Sequence, residues 1–323
     1  MNSRRSLLKF AALAAMPLGA QSQGAWPDKP VRFVLSQPAG SGPDNVARLL
    51  SERLARALGQ SVVIDNRPGG QNVIGAQAAA VAPADGYTFY FATTAALVTN
   101  RFLFKSMPYD PRKDFVPVAF VARSPFGVLV RGDSAVDSIE ALTRLSRAQP
   151  GKLTLGNEGP RTFGGIIARV INARAAMQAN LVAYASVRAA VQDVIGGHAD
   201  AAVADLASTA PLIREGRLRL LAVTSASRVA GFDKAPPLAE VIPGFEMVGW
   251  FAVVAPTGTP AQAIDRMNRE LGNLLEDPDT ARRILTIGPI ADHLGAPDRL
   301  AAFLQEEHRR WELATREIGL LPE

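Results

Sequence analysis

Cysteine is absent from the 323 residues. This excludes disulfides, thiolate nucleophiles, cysteine metal sites and a lipid anchor on an N-terminal cysteine. Histidine is scarce, with three in the chain. His198, His293 and His308 lack metal-ligand spacing, and there is no HExxH, so no metal is expected. His198 follows a glycine pair and His308 lies in a charged C-terminal stretch, so both read as exposed. No G-x-S-x-G elbow occurs and no base stands beside a nucleophile, which argues against an enzyme. Neither a phosphate-binding P-loop nor GxGxxG is present, and no cofactor is implied. No basic tract is long enough to suggest nucleic acid, and no apolar run reaches transmembrane length.

What is present begins with a targeting segment. Arg4, Arg5 and Lys9 precede an apolar run at residues 10–18, and small residues follow, with Ala20 and Ala25 as candidate cleavage ends. That order of basic, apolar and small residues is a secretory signal, too short to span a membrane. The pair Arg4-Arg5 resembles a twin-arginine signal, so Sec and twin-arginine routes both stay open. The formal net charge of +5 includes Arg4, Arg5 and Lys9, so removing residues 1–25 leaves +2. The expected product is free in the periplasm and monomeric.

The length suits two lobes of ordinary domain size. Residues 30–36 read as a strand, stopped by a glycine-rich turn at Pro38, Ala39, Gly40, Ser41 and Gly42. Pro43 and Asp44 then suit the first turn of a helix that Gly59 closes. Strand 61–66, helix 73–81 and strand 87–92 follow, with Thr93 and Thr94 at the last strand's end. Alternation of this kind predicts a parallel sheet with helical crossovers. A second unit starts near Phe126, with strands at 127–131, 152–155, 181–184, 201–204 and 218–223. Residues 250–255 read as another strand, and helices built on Leu271 and Trp311 end the chain. The tail is expected to return to the first lobe. The expected division is a signal peptide at 1–25, a first lobe from 26–125 and 247–323, and a second lobe at 126–246. Connections near 122–127 and 245–250 would form the hinge.

Two glycine-rich loops carry the functional reading. Each follows a strand and opens a helix, which presents free backbone N–H groups and a helix's positive end to an anion. The same glycines also suit an ordinary βα turn. The motifs Trp26-Pro27-Asp28-Lys29-Pro30, Pro38-Ala39-Gly40-Ser41-Gly42, Asn66-Arg67-Pro68-Gly69-Gly70, Ala84-Asp85-Gly86-Tyr87 and Ala255-Pro256-Thr257-Gly258 stand in order along the chain. As a set they resemble the Bug receptors, the solute-binding components of tripartite tricarboxylate transporters. The resemblance implies an α/β, two-lobed periplasmic binding protein of type II, a Venus flytrap whose lobes are mainly parallel sheets flanked by helices. It implies capture of a small carboxylate, or a related amide or aromatic acid, for a membrane permease. A sensory receptor presenting its ligand to a sensor kinase is the alternative.

Carried over, the ligand positions are residues 38–44, Thr93 and Thr94 in the first lobe. In the second they are Gly159, Arg161, Thr162, Phe163, Gly164 and Asp205. The family's second loop usually reads Ser-Gly-x-Gly-Thr-x-x-His. This chain keeps Thr162 but has arginine at 161 and glycine at 165. Arg161 and Arg188 each suit a second ligand carboxylate, or solvent, or pairing with Glu158 or Asp193. Phe163 suits stacking on an aromatic ligand or packing. Asp44 suits a dipole partner at a helix start, and Asp205 either a helix N-cap or an acceptor for a ligand hydroxyl or ammonium.

Overall fold

The computed structural model describes residues 26–317 and 319–322, so the signal segment at 1–25 lies outside the described residues. The first unit runs β1 (Val31–Leu35), α1 (Gly42–Leu58), β2 (Val62–Asn66), α2 (Val73–Ala80), β3 (Thr88–Thr93) and the short α3 (Asn100–Leu103). It leads into β4 (Phe115–Arg131), then α4 (Ile139–Ala148), β5 (Thr154–Asn157), α5 (Phe163–Arg174), β6 (Asn180–Ala183) and α6 (Val187–Gly196). β7 (Ala201–Asp205), α7 (Leu206–Arg214) and β8 (Leu218–Val223) complete that part. β9 (Val248–Pro256), α8 (Ala261–Glu276), α9 (Pro278–Ile287), β10 (Ile290–Ala291) and α10 (Pro297–Glu317) form the tail.

Local chemistry explains the boundaries that matter. Pro43 sits in the first turn of α1, where its missing N–H costs nothing, and Gly59 closes the helix in the left-handed region at φ 71°. Val46, Leu50, Leu54 and Leu58 line its buried face, each contributing about 1.5–3 kcal/mol. Four helices between β4 and β8 take side-chain caps: Ser138 for α4, Thr162 for α5, Ser186 for α6 and Asp205 for α7.

The architecture is two mixed sheets joined through one strand. β2, β1 and β3 are parallel neighbours, extended antiparallel by β9 and the first part of β4. β6, β5 and β7 are parallel, and the last part of β4 pairs antiparallel with both β7 and β8. β4 therefore leaves β9 at Pro125 and joins the second sheet at Phe126. Its register against β9 is broken twice, beside Pro117 and at Phe120–Ala122. Those bulges and two prolines break the alternation that marks a strand. This is why a pattern reading starts the strand only at residue 127. Helix α9 and the helical turn through residues 95–103 are also absent from that reading.

Thr224, fully buried, fastens the crossover. Its N–H donates to the Phe126 carbonyl at 2.9 Å and its hydroxyl accepts from the Phe126 N–H at 2.9 Å. Its carbonyl accepts from Met247 N–H at 3.0 Å, just before β9 begins. Behind this knot two groups of aromatic rings pack, one of them joining the lobes. Phe126 packs on Phe163 at 5.1 Å, Phe163 on Trp311 at 5.2 Å, and Phe303 on both Trp250 and Phe120. The Trp250 indole donates to the buried Glu307 carboxylate at 2.8 Å. Arg174 of α5 clamps Glu317 of α10 with bonds of 2.9 and 2.5 Å. His308 departs from the expected exposure: it is half-buried beside Phe102, and burial together with Arg101 and Arg112 pushes its pKa down to about 4.

The Thr224 hydroxyl carries a specific expectation. Thr224→Val keeps the volume but leaves the buried Phe126 N–H without an acceptor, so unfolding in urea should show a loss of about 1–3 kcal/mol. Thr224→Ser should retain most of the stability. Equal losses in both variants would mean that packing, not the hydrogen bond, holds the crossover.

Candidate functional site

The parallel strands of both sheets end toward the same space, as ligand sites in open α/β sheets do. From β1 comes the loop 37–41 and the start of α1; from β5 the loop 158–162 and the start of α5; from β7, Asp205 and the start of α7. The two lobes touch here. A methyl group on Gly42 would lie 2.4 Å from the Ala207 Cβ and 2.9 Å from Asp205 Oδ1. On Gly288 at the end of α9 it would lie 2.6 Å from the Leu206 carbonyl carbon. Arg214 of α7 donates to the Thr286 carbonyl at 2.6 Å. An open groove of about 510 Å³ lies beside this contact, bordered by Asn45, Ala207 and Pro211.

In the first loop, Asp44 is the organiser. Its carboxylate is 1% exposed and accepts from Gly40 N–H at 2.8 Å, Arg48 Nε at 2.8 Å and Asn66 Nδ2 at 2.9 Å. Asn66 also donates to the Gln37 carbonyl at 3.0 Å. Burial raises the Asp44 pKa, but the bonds from Arg48, Gly40 and Asn66 outweigh it and hold the group below its ordinary value of 3.8. The Asp44 carboxylate is thus turned into the loop, away from a ligand. Ser41 N–H donates to the Pro38 carbonyl at 3.2 Å, and the Ser41 hydroxyl is buried without a partner. Pro38 and Ala39 are exposed at the rim.

The ends of β2 and β3 complete this face. Gly69, Gly70, Gln71 and Asn72 have φ of 123°, 54°, 52° and 78° in succession. Left-handed geometry is uncommon for the two residues with side chains, and such strain concentrates at functional sites. Asn72 Oδ1 accepts from Gln37 Nε2 at 2.6 Å, and Thr93 Oγ1 lies 3.4 Å from the same nitrogen. Gln37 Oε1 and Gln71 Oε1 are buried without donors. Thr94 is engaged elsewhere: its hydroxyl accepts from the Trp250 N–H at 2.9 Å, within the β3–β9 pair.

In the second lobe, Gly159 adopts φ 122° and its carbonyl accepts the Thr162 hydroxyl at 2.8 Å. Thr162 accepts in turn from Gly165 N–H at 3.1 Å as the cap of α5. Gly164 N–H points at Glu158 Oε1, 3.3 Å away. Burial, reinforced by the charge of Asp205, pushes the Glu158 carboxyl up to about 7. Burial also raises Asp205, against the lowering effect of its bonds to Ser208, whose N–H it caps at 2.8 Å. Asp205 therefore caps α7 and faces Gly42 across the cleft at once. Phe163 is buried between Phe126 and Trp311, in a packing position. Arg161 reaches over the first-lobe Phe104 ring, 5.9 Å from its centroid. The Arg188 Nη2 lies 3.9 Å from the position a Gly40 Cβ would take.

The positions brought together at the cleft are thus Gly40, Ser41, Gly42, Gly159, Thr162, Gly164 and Asp205, with Arg161 at its edge. Sequence reasoning missed Gln37, Gln71 and Asn72 and treated Glu158 only as an arginine partner. The signal for Gln71 and Asn72 was available, since they directly follow Asn66-Arg67-Pro68-Gly69-Gly70.

The Asp44 linkage has a defined sign. A carboxylate held below its unfolded value adds stability that is complete above that value and disappears as pH falls through the folded one. Replacing Asp44 with asparagine should cost about 1–3 kcal/mol at pH 6. The gap from wild type should narrow as pH falls below about 4. A gap that stays constant down to pH 2 would show that the charge of Asp44 is not what orders the loop.

A family model described as the tripartite tricarboxylate transporter family receptor matches residues 46–320. A UPF0065 protein of Bordetella bronchiseptica is 38% identical over 98% of this chain and 94% of its own. The protein BugT of Bordetella pertussis is 31% identical over 94% of this chain and 93% of its own. Among solved structures, the R. palustris protein Rpa4515 with adipate is 32% identical at a TM-score of 0.87, covering 92% of this chain and all (100%) of that one. MatC of Rhodopseudomonas palustris with bound malate is 25% identical at a TM-score of 0.81, covering 90% and 99%. The chain belongs to the tripartite tricarboxylate transporter receptor family of periplasmic solute-binding proteins.

Proposed function

We propose that this protein captures a small carboxylate between its two lobes and delivers it to the membrane permease of a tripartite transporter. The observation that carries the reading is the meeting of the α1 and α7 starts. Two helix N-termini from opposite lobes converge at Gly42 and Ala207, where only a residue without a side chain allows the approach. Adipate in Rpa4515 and malate in MatC support the ligand class. We infer lobes at 26–125 with 247–323 and at 126–246, hinged where Thr224 ties Phe126 to Met247. The protein acts as a monomer and binds without turnover. Residues 1–25 direct export to the periplasm by the Sec or twin-arginine route.

Gly42 separates closure from folding. Gly42→Val should leave the unliganded melting temperature close to wild type, because the clash arises only when the lobes approach. The same variant should weaken binding of four- to six-carbon carboxylates by more than a hundredfold in titration calorimetry. Wild-type affinity in Gly42→Val would place the binding site elsewhere. Recovery of the bound carboxylate chemically altered after long incubation would overturn the receptor reading in favour of an enzyme.

A further inference from the structure

Helix α9 is anchored in the first lobe and ends in the second. At its start, Arg53 of α1 donates to Asp277 at 3.0 Å and to the Thr280 hydroxyl at 2.7 Å, and it also pairs with Asp279. Thr280 and Ile284 are fully buried, Ile284 in the same apolar cluster as Leu50, Leu54 and Leu271. One residue later the burial changes sides. Leu285 packs on a separate cluster made by Leu206 and Ala210 of α7 with Val223, Val229 and Phe232. Adjacent side chains of one helix are thus seated in different lobes.

Two further contacts join the same seam. The last carbonyls of a helix have no donor within it, and Arg214 at the end of α7 supplies one to Thr286 at 2.6 Å. A guanidinium at this place also meets the negative end of the α9 dipole. The Arg214 guanidinium lies 5.3 Å from the centroid of the Phe232 ring, which guides its direction. Gly288, at φ 126°, brings its backbone against α7, where a Cβ would stand between 2.6 and 2.9 Å from main-chain atoms of Leu206 and Ala207. An open groove bordered by Asn45, Pro211 and Ile287 runs beside the seam, so the contact rests on few side chains. Leu285, Thr286 and Arg214 lie outside the loops that gather at the cleft.

We propose that the end of α9 is a latch: Leu285 and Arg214 hold the lobes together without touching the ligand, and so set how tightly any ligand is held. Opening the lobes draws α7 off α9, which exposes Leu285 to water and takes the Arg214 donor from Thr286. A ligand that binds only the joined arrangement has its affinity scaled by the population of that arrangement. The latch therefore adds to affinity by one common factor, whichever ligand is bound. The proposal rests on the hinged-receptor reading and adds a determinant of affinity outside the cleft.

The absence of cysteine lets two spin labels be placed without competition, through Gln77→Cys on α2 and Arg144→Cys on α4, both exposed. Pulsed electron spin resonance on this labelled parent reads the separation of the lobes with no ligand added. Leu285→Lys puts an ammonium against apolar side chains and should shift the distribution to longer separations. Arg214→Ala, a change at an exposed side chain, should shift it in the same direction, and Arg214→Lys, which keeps a donor, should stay closer to the parent. Titration calorimetry with adipate, succinate and butyrate supplies the second readout. Those that bind the parent should bind Leu285→Ala about tenfold more weakly, by a common factor. Separations unchanged in Arg214→Ala and in Leu285→Lys overturn the latch, as does a loss of affinity in Leu285→Ala that is confined to one ligand among several. Binding by the parent leaves the receptor reading standing in either case. Failure of all these acids to bind the parent counts against the receptor reading, and the label separations still decide the latch. Should Leu285→Lys not fold, Arg214→Ala decides alone.

Discussion

The triple hydrogen bond at Thr224 is the constraint on which the rest of the molecule depends. β4 must serve two sheets, and a strand that changes partners leaves backbone groups exposed at the changeover. Thr224 satisfies them: its main chain and hydroxyl bond both polar groups of Phe126, and its carbonyl fixes the return strand at Met247. The two crossings are thereby held side by side. Two adjacent connections of this kind are what the proposed hinge requires, since they favour rotation about one line over sliding. Because the parallel strands of each sheet run toward this line, their loops are delivered to one cleft.

Closure then depends on what each loop does internally. Asp44 fixes the first loop before any ligand arrives, through Gly40, Arg48 and Asn66. Thr162 and Gly159 do the same for the second. Ordering these loops in advance lowers the entropy lost on binding. What is left without a partner in these loops is the side-chain oxygen of Gln37, Gln71 and Ser41. A ligand that satisfies them binds the closed form better than the open one, and only such differential affinity shifts a conformational equilibrium.

The alternation of strands and helices, and the two glycine-rich loops, were legible from residues alone because both arise from local chemistry. Pro43, Gly59 and the caps act within one turn of their own position. The first part of β4 was hidden by Pro117, Pro125 and two bulges, which erase its alternation without preventing pairing. At the site, the fate of a side chain is decided by neighbours far away in sequence. Thr94 looks like a ligand hydroxyl until Trp250, 156 residues on, claims it. Phe163 looks like a stacking platform until Trp311 and Phe126 enclose it. His308 looks exposed on its charged helix until Phe102 covers it. Asp205 shows the limit most clearly, since its capping role is local and readable while its approach to Gly42 is visible only in three dimensions.

The proposed hinge and the cleft are also connected through the back of the molecule. Phe126 forms part of the Thr224 knot and packs on Phe163, which opens α5 immediately after the loop that holds Glu158 and Thr162. Phe163 rests in turn on Trp311 of α10, and Arg174 at the other end of α5 clamps Glu317. Helix α5 is therefore gripped at both ends by the first lobe's C-terminal helix. Packed interiors deform in discrete steps rather than continuously. A change in the angle between the lobes must then break or slide these ring contacts, and the second-lobe loop moves with them.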